Sequence, residues 1–188
     1  MMHRIAFFID GGYLDHELDN KRQGNRIDYR KLVNVIVEKS GTDKEIVRVY
    51  YYHCLPYQDR QPTTEQSGKF SKAQGFFRAL QRTSRFEVRI GRLAFRGNRE
   101  DGTPIFEQKR VDLMLGLDLM SLAVKHMIDE VFLVAGDSDF VPAVNAVKKE
   151  GIVVYLVHGD TPHDDLLDEV DERIPLTQEL VGGCFRLI

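Results

Sequence analysis

The apolar positions of this chain change period repeatedly, and each change predicts an element. Ile5-Ala6-Phe7-Phe8-Ile9 is an unbroken apolar run, so Arg4 to Ile9 reads as a strand buried on both faces. Leu32, Val35 and Ile36 recur at helical spacing behind Asp28, an N-cap type, and predict a helix through Glu38 with Gly41 as its stop. Ile46 to His53, rich in Val, Ile and Tyr, returns to strand character. Leu55 to Gln66 contains Pro56 and Pro62 and reads as an irregular loop. Phe70, Ala73, Phe77 and Leu80 then mark the inner face of a helix over Ser67 to Thr83.

Phe86 to Phe95 reads as a strand, Asn98 to Gly102 as a turn and Thr103 to Glu107 as the second arm of a hairpin. A long apolar helix follows over Val111 to Met127, then a central strand over Val131 to Ala135. Phe140 to Glu150 is a helix closed by Gly151, and Ile152 to Val157 is another buried strand. From Thr161 to Ile188 the pattern weakens to a short acidic helix, an edge strand near Ile174 and a loose end. This alternation predicts an α/β fold with a mostly parallel central sheet and a small β-hairpin arm. The 188 residues carry no repeat, low-complexity tract or linker, so one domain is expected over residues 1–188.

Charge adds a polarity that the net value of −3 hides. The segment from Arg60 to Arg99 is +8, while Glu150 to Glu179 holds nine acids against Arg173 alone. Such a division offers a basic surface to a polyanion, set against the plainer reading of a solvated helix face with local counterions. No apolar run approaches the length of a membrane span, and no secretory leader precedes the first strand, so no membrane partner is expected. Cys54 and Cys184 are too few for a disulfide framework or a zinc site, and fit reduced core thiols of a cytoplasmic protein.

The candidate chemistry is carboxylate chemistry. Asp10 and Asp137 each end a buried strand, Asp112 opens a helix, Asp118 lies farther along it, and Asp139 follows Asp137 by two residues. If the apolar runs are neighbouring parallel strands, these acids converge on one sheet edge. Crowded carboxylates repel one another and resist desolvation, so a cation must offset them. Hard oxygen donors with few His or Cys suit Mg²⁺ or Mn²⁺. Helix rise places Asp112 level with the end of the strand carrying Asp137, and Asp118 roughly 9 Å lower and about 120° around the helix. Asp118 is therefore either an accessory acid or the buried partner of a basic group. Plainer structural roles stand beside these: Asp10-Gly11 as a turn, Ser138 or Asp139 as an N-cap. No phosphate loop, dinucleotide fingerprint or GxSxG elbow is present, and the six histidines lack metal-ligand spacing.

Phe7-Phe8-Ile9-Asp10-Gly11-Gly12-Tyr13-Leu14, Lys109-Arg110-Val111-Asp112 with Asp118, and Ala135-Gly136-Asp137-Ser138-Asp139-Phe140 together resemble the NYN domain in its LabA-like (DUF88) branch, within the PIN-like nucleases. The match runs in order from about Arg4 to Val157, leaving 158–188 as a C-terminal extension. The resemblance implies a three-layer α/β/α sandwich of PIN-like, Rossmannoid type, an acidic metal pocket at the strand C-termini, and metal-dependent ribonuclease activity. NYN domains often carry Asn shortly after the first aspartate, where this chain has Gly12-Tyr13.

The combined expectation is a Mg²⁺- or Mn²⁺-dependent endoribonuclease acting on single-stranded RNA. Asp10, Asp112 and Asp137 are the expected metal ligands, with Asp118 and Asp139 acting directly or through water. Lys109 is expected to neutralise the scissile phosphate and Ser138 to orient a ligand. Arg78, Arg82 and Arg85, with the strand bearing Arg89, Arg92 and Arg96, are expected to grip phosphates. Tyr13, Tyr51 and Tyr57 are candidate stacking platforms, though Tyr51 reads first as a core residue. A non-catalytic RNA- or protein-binding regulator and a metal-dependent phosphatase of small esters remain as alternatives. The hairpin around Phe95 and Phe106 is a candidate homodimer contact.

Overall fold

In the computed structural model, which describes residues 2–41 and 43–186, seven strands form one sheet in the order β4-β3-β2-β1-β5-β6-β7. In chain order these are β1 (His3–Asp10), β2 (Lys44–Cys54), β3 (Phe86–Asn98), β4 (Pro104–Lys109), β5 (Glu130–Val134), β6 (Val153–His158) and β7 (Glu172–Pro175). Every neighbouring pair is parallel except β3 with β4, the hairpin arm. The helices are α1 (Gly11–Lys21), α2 (Tyr29–Lys39), α3 (Thr64–Gln81), α4 (Val111–Val124), α5 (Val141–Lys149), α6 (Asp164–Glu169) and α7 (Gln178–Gly182).

Strand alternation sorts the core into two layers. Ile5, Phe7 and Ile9 face one side, where they pack with Leu14 and Leu18 of α1, Leu32 and Ile36 of α2, and Phe77 and Leu80 of α3. Ala6 and Phe8 face the other, against Leu115 and Leu119 of α4, Val144 and Val147 of α5, and Leu166 of α6. An unbroken apolar strand is thus the sequence form of a sheet covered on both faces, and the expected α/β/α layering is what the chain adopts. Each fully buried side chain of this size contributes about 1.5–3 kcal/mol through the removal of apolar surface from water.

Topology then fixes where a ligand can lie. From β1 the chain steps outward to β2, β3 and β4, and afterwards returns to the other side of β1 for β5, β6 and β7. The strand order reverses between β1 and β5, and the crevice at the carboxyl ends of such strands is where open α/β sheets bind ligands. Asp10 and Asp137 follow from this: one ends β1, the other comes three residues after β5.

Three expectations need correction. Gly11-Gly12 does not lead into a turn; it begins α1, whose apolar positions are sparse because Glu17 and Lys21 are buried together as an ion pair. The loop ends sooner, since Thr63 and Gln66 form a reciprocal capping box that starts α3 at Thr64. The tail is no loose end up to residue 186, residues 187 and 188 lying outside those described. Strand β7 pairs with β6, and Leu176, Leu180, Val181 and Cys184 are buried in the first core layer. No helix among the described residues is long and apolar enough to cross a membrane.

Candidate active site

Asp10 caps the helix it precedes. Its Oδ1 accepts from the backbone N–H of Gly12 at 2.9 Å and of Tyr13 at 3.1 Å, which leaves Oδ2 free of the cap. Glycine is required next to it: a Cβ on Gly11 would lie 2.6 Å from the Tyr51 ring and 2.7 Å from Cδ2 of His53. Burial raises the Asp10 carboxyl above its ordinary value, the two N–H bonds and nearby His53 pull it back, and Asp137 pushes it up again.

Asp137 is built in the same way. Its Oδ1 accepts from the Asp139 N–H at 3.1 Å as the cap of a short 3-10 turn over Ser138–Phe140. Gly136 before it lies over the Tyr13 ring, where a Cβ would approach to 2.3 Å.

Asp112 depends on the hairpin. Strand β4 ends at Lys109, Arg110 takes a left-handed conformation (φ 77°), and α4 begins at Val111 with Asp112 in its first turn. Gly91, opposite Cys54 on β2, permits this approach, because a Cβ there would lie 2.7 Å from Val111 Cγ2 and 2.8 Å from the Lys109 carbonyl oxygen. Loss of hydration raises the Asp112 carboxyl, and the charges of Asp10, Asp137 and Asp139 raise it further. Four carboxylates from three elements therefore share one electrostatic neighbourhood. Among the described residues none of the four is in an ion pair.

That arrangement suits a hard divalent cation, since every donor is a carboxylate oxygen and the uncompensated charge is negative. Among the described residues no three His, Cys, Asp or Glu side chains stand close enough together in this structure to hold a metal ion. Asp10 and Asp137 each turn one oxygen to backbone N–H groups.

The other expected residues are distributed as follows. Asp118 is engaged elsewhere: its Oδ2 accepts from the Tyr52 hydroxyl at 2.9 Å and from Arg89 Nε at 3.2 Å. Ser138 sits in the turn after Asp137. Tyr13 is not an open platform, because its ring lies under Gly136 and its hydroxyl accepts from the Gly159 N–H at 2.7 Å. Tyr51 is buried in the core, and the Tyr57 ring packs at a tilt against Phe106 and Phe95 at 5.1 and 5.9 Å.

The basic residues divide. Arg92 pairs in register with Lys109 in the hairpin, and both line a groove beside Asp112. Lys109 itself is in contact with Glu107. Arg78, Arg82 and Arg85 do not join this site. Helix α3 runs antiparallel to β3, so Arg82, its C-cap, and Arg85, just before Phe86, lie at the N-terminal edge of the sheet. Arg85 reaches Glu45 near the start of β2, at 3.5 Å.

A second cluster escaped the sequence reading. His53, at the end of β2, meets Asp15 of α1 through Nε2 at 3.2 Å, and Asp15 also accepts from Tyr29 and Tyr51 at 3.3 and 3.4 Å. Only recognition of α1 would have brought Asp15 to the site edge; residue type alone carried no signal.

The NYN domain family model matches residues 4–177, reaching beyond the expected limit of 157 to include β7. No curated protein matches the chain. Among solved structures, a protein of unknown function from Vibrio parahaemolyticus superposes with a TM-score of 0.60 at 21% identity, covering 94% of each chain. At that identity the likeness concerns the fold.

Proposed function

The chain belongs to the NYN domain family, a branch of the PIN-like nucleases, and on that premise we propose that it is a metal-dependent ribonuclease of the LabA-like kind. The observation that supports this most is the unpaired carboxylate group of Asp10, Asp112, Asp137 and Asp139 at the reversal of strand order. Asp10, Asp112 and Asp137 would hold Mg²⁺ or Mn²⁺, with Asp139 at the rim. When bound, such an ion supplies electrophilic stabilisation of phosphoryl oxygens and lowers the pKa of water.

The chain's own groups do the rest. Backbone N–H bonds fix one oxygen each of Asp10 and Asp137 and so aim the other. Arg92 and Lys109 bind substrate phosphates beside Asp112 and bring a polyanion over the acids. Asp118 serves as a positioning residue, tying α4 to β2 and β3 through Tyr52 and Arg89. The basic hairpin favours a polymer over a small phosphate ester.

The test is hydrolysis of labelled RNA, single-stranded DNA and nucleotide esters by purified protein in Mn²⁺ or EDTA. RNA cleavage should require the metal and fall more than about 100-fold in Asp10→Asn and in Asp137→Asn. Cleavage that survives both substitutions rules this site out. Hydrolysis of small esters alone makes the protein a phosphatase, and RNA binding without hydrolysis makes it a regulator.

A further inference from the structure

Two depressions of opposite character flank the carboxylates. On the hairpin side Arg92, Arg96, Lys109 and Arg110 line a groove of 430 Å³ with Ala94 and Leu113. Glu107 engages Arg96 and Lys109, which leaves Arg92 and Arg110 with no acidic partner among the described residues. On the other side lies a cavity of 710 Å³, with Asp10 and Asp137 at its floor, His16 and Glu17 of α1 along one wall, and residues 161–164 along the other. No lysine or arginine among the described residues lines it. The Lys21 ammonium, behind the lining residue Glu17, is taken up by Glu17 and Asp160 at 3.2 and 2.8 Å.

This second cavity has fixed walls. The Gly159 N–H donates to the Tyr13 hydroxyl at 2.7 Å, Lys21 holds Asp160, and the His163 N–H donates to the Gly136 carbonyl at 2.9 Å. Three long-range bonds thus clamp the loop between α1 and the end of β5. His163 also caps α6, its Nδ1 accepting from the Asp165 N–H at 3.3 Å. With that nitrogen an acceptor, the neutral ring carries its proton on Nε2, a donor for an uncharged ligand atom. Thr161 adds a hydroxyl, and Asp164, outside the metal-holding group, can accept from a ribose hydroxyl or an exocyclic amine. The volume falls within the about 300–1,000 Å³ range of small-ligand sites.

We propose that the cavity between α1 and residues 159–164 is a subsite for the nucleoside at an unphosphorylated end of an RNA strand, while the rest of the strand lies on the hairpin groove. The proposal rests on the ribonuclease reading and gives it a direction. Beyond the metal-holding Asp10 and Asp137, a further phosphate in the cavity would face Asp164, with no lysine or arginine among the lining residues to offset it. The favoured bond is therefore the last one before that end, in place of the interior cutting expected of an endoribonuclease. Hydrolysis there adds one water: its oxygen bonds to phosphorus, the bond from phosphorus to the leaving ribose oxygen breaks, and that oxygen takes the proton.

The test compares tetranucleotides with two free hydroxyl ends, with a 5′-phosphate and with a 3′-phosphate, bound to the full chain in Ca²⁺ and followed by fluorescence anisotropy. One phosphorylated form should bind about tenfold more weakly, the other unchanged. A 4-thiouridine at the sensitive end should cross-link within residues 159–165, and an interior one within 92–113. Thr161→Trp, which fills the cavity, should erase the discrimination; His163→Gln should weaken it if the larger substitution disturbs folding. Equal binding of all three forms, end cross-links in the hairpin, or no binding of any oligonucleotide overturns the subsite. Intact discrimination without hydrolysis in Mn²⁺ overturns the ribonuclease reading and leaves the subsite standing.

Discussion

A β carbon on Gly91 would stand 2.7 Å from Cγ2 of Val111, and this close approach lets α4 bring Asp112 to the sheet edge. The contact is between a strand and a helix start, so neither can yield cheaply. Gly91→Ala is expected to cost about 1–3 kcal/mol of stability through overpacking. It should also weaken Mn²⁺ binding, because it displaces the helix start that carries Asp112. Denaturant unfolding and metal titration of the same variant check both; full metal affinity would separate Gly91 from the site.

The acids oppose folding when no cation is present. Burial raises Asp10, and lost hydration together with Asp10, Asp137 and Asp139 raises Asp112. A carboxyl whose folded value lies above its unfolded one adds stability below the unfolded pKa and loses it as pH rises through the folded pKa. Metal-free protein should thus lose stability as pH rises from about 4 through that shifted range. Asp112→Asn should be more stable than the parent at neutral pH without metal, and gain less from added Mn²⁺. Thermal unfolding across pH, with and without Mn²⁺, measures this.

His53 titrates in the opposite sense to a plain buried histidine. Burial pulls it down, but the hydrogen bond to Asp15 and the charges of Asp15 and Asp10 raise it above its ordinary value. A raised imidazole contributes stability that is complete below its unfolded pKa of about 6.5 and is lost as pH rises through the folded value. In metal-free protein Asp15→Asn should lower the His53 pKa, read by NMR of the ring protons, and should remove that pH-dependent part of the stability.

Asp118 should behave as a packing residue. Tyr52→Phe removes the hydroxyl that its carboxylate accepts from, at an expected cost of about 1–3 kcal/mol. Mn²⁺ affinity should stay within twofold or so of the parent. A large fall in affinity, with little change in unfolding, would put Asp118 among the ligands.

RNA affinity should follow position in the fold, beyond charge alone. Arg92→Ala, in the groove beside Asp112, should weaken RNA binding and reduce its salt slope by about one. Arg82→Ala and Arg85→Ala, at the opposite sheet edge, should change neither. Anisotropy titrations over a range of salt distinguish the two outcomes.

The order of strands and helices was legible because period-2 and period-3.6 patterns are local, and a strand buried on both faces shows itself in consecutive residues such as Ile5 to Ile9. The acids were legible too, since Asp10, Asp112 and Asp137 each stand at the boundary of an element. Helix α1 was hidden because Glu17 and Lys21 neutralise each other in the interior, so its buried face contains charges. The tail was hidden for a related reason: β7 and α7 are short, and their burial comes from β6, α1 and α2 rather than from their own pattern.

What the residues determined by themselves was the succession of elements and the supply of carboxylates, because both depend on neighbours along the chain. Which charges meet was decided by tertiary structure alone. The crossing from β4 back to β5 brought Asp10 and Asp137 to adjacent strands, and a gap at Gly91 admitted Asp112. The same packing set Asp118 against Arg89 and left Arg82 and Arg85 at the far edge. Electrostatic coupling falls with distance through space, and distance through space is fixed by how the layers pack.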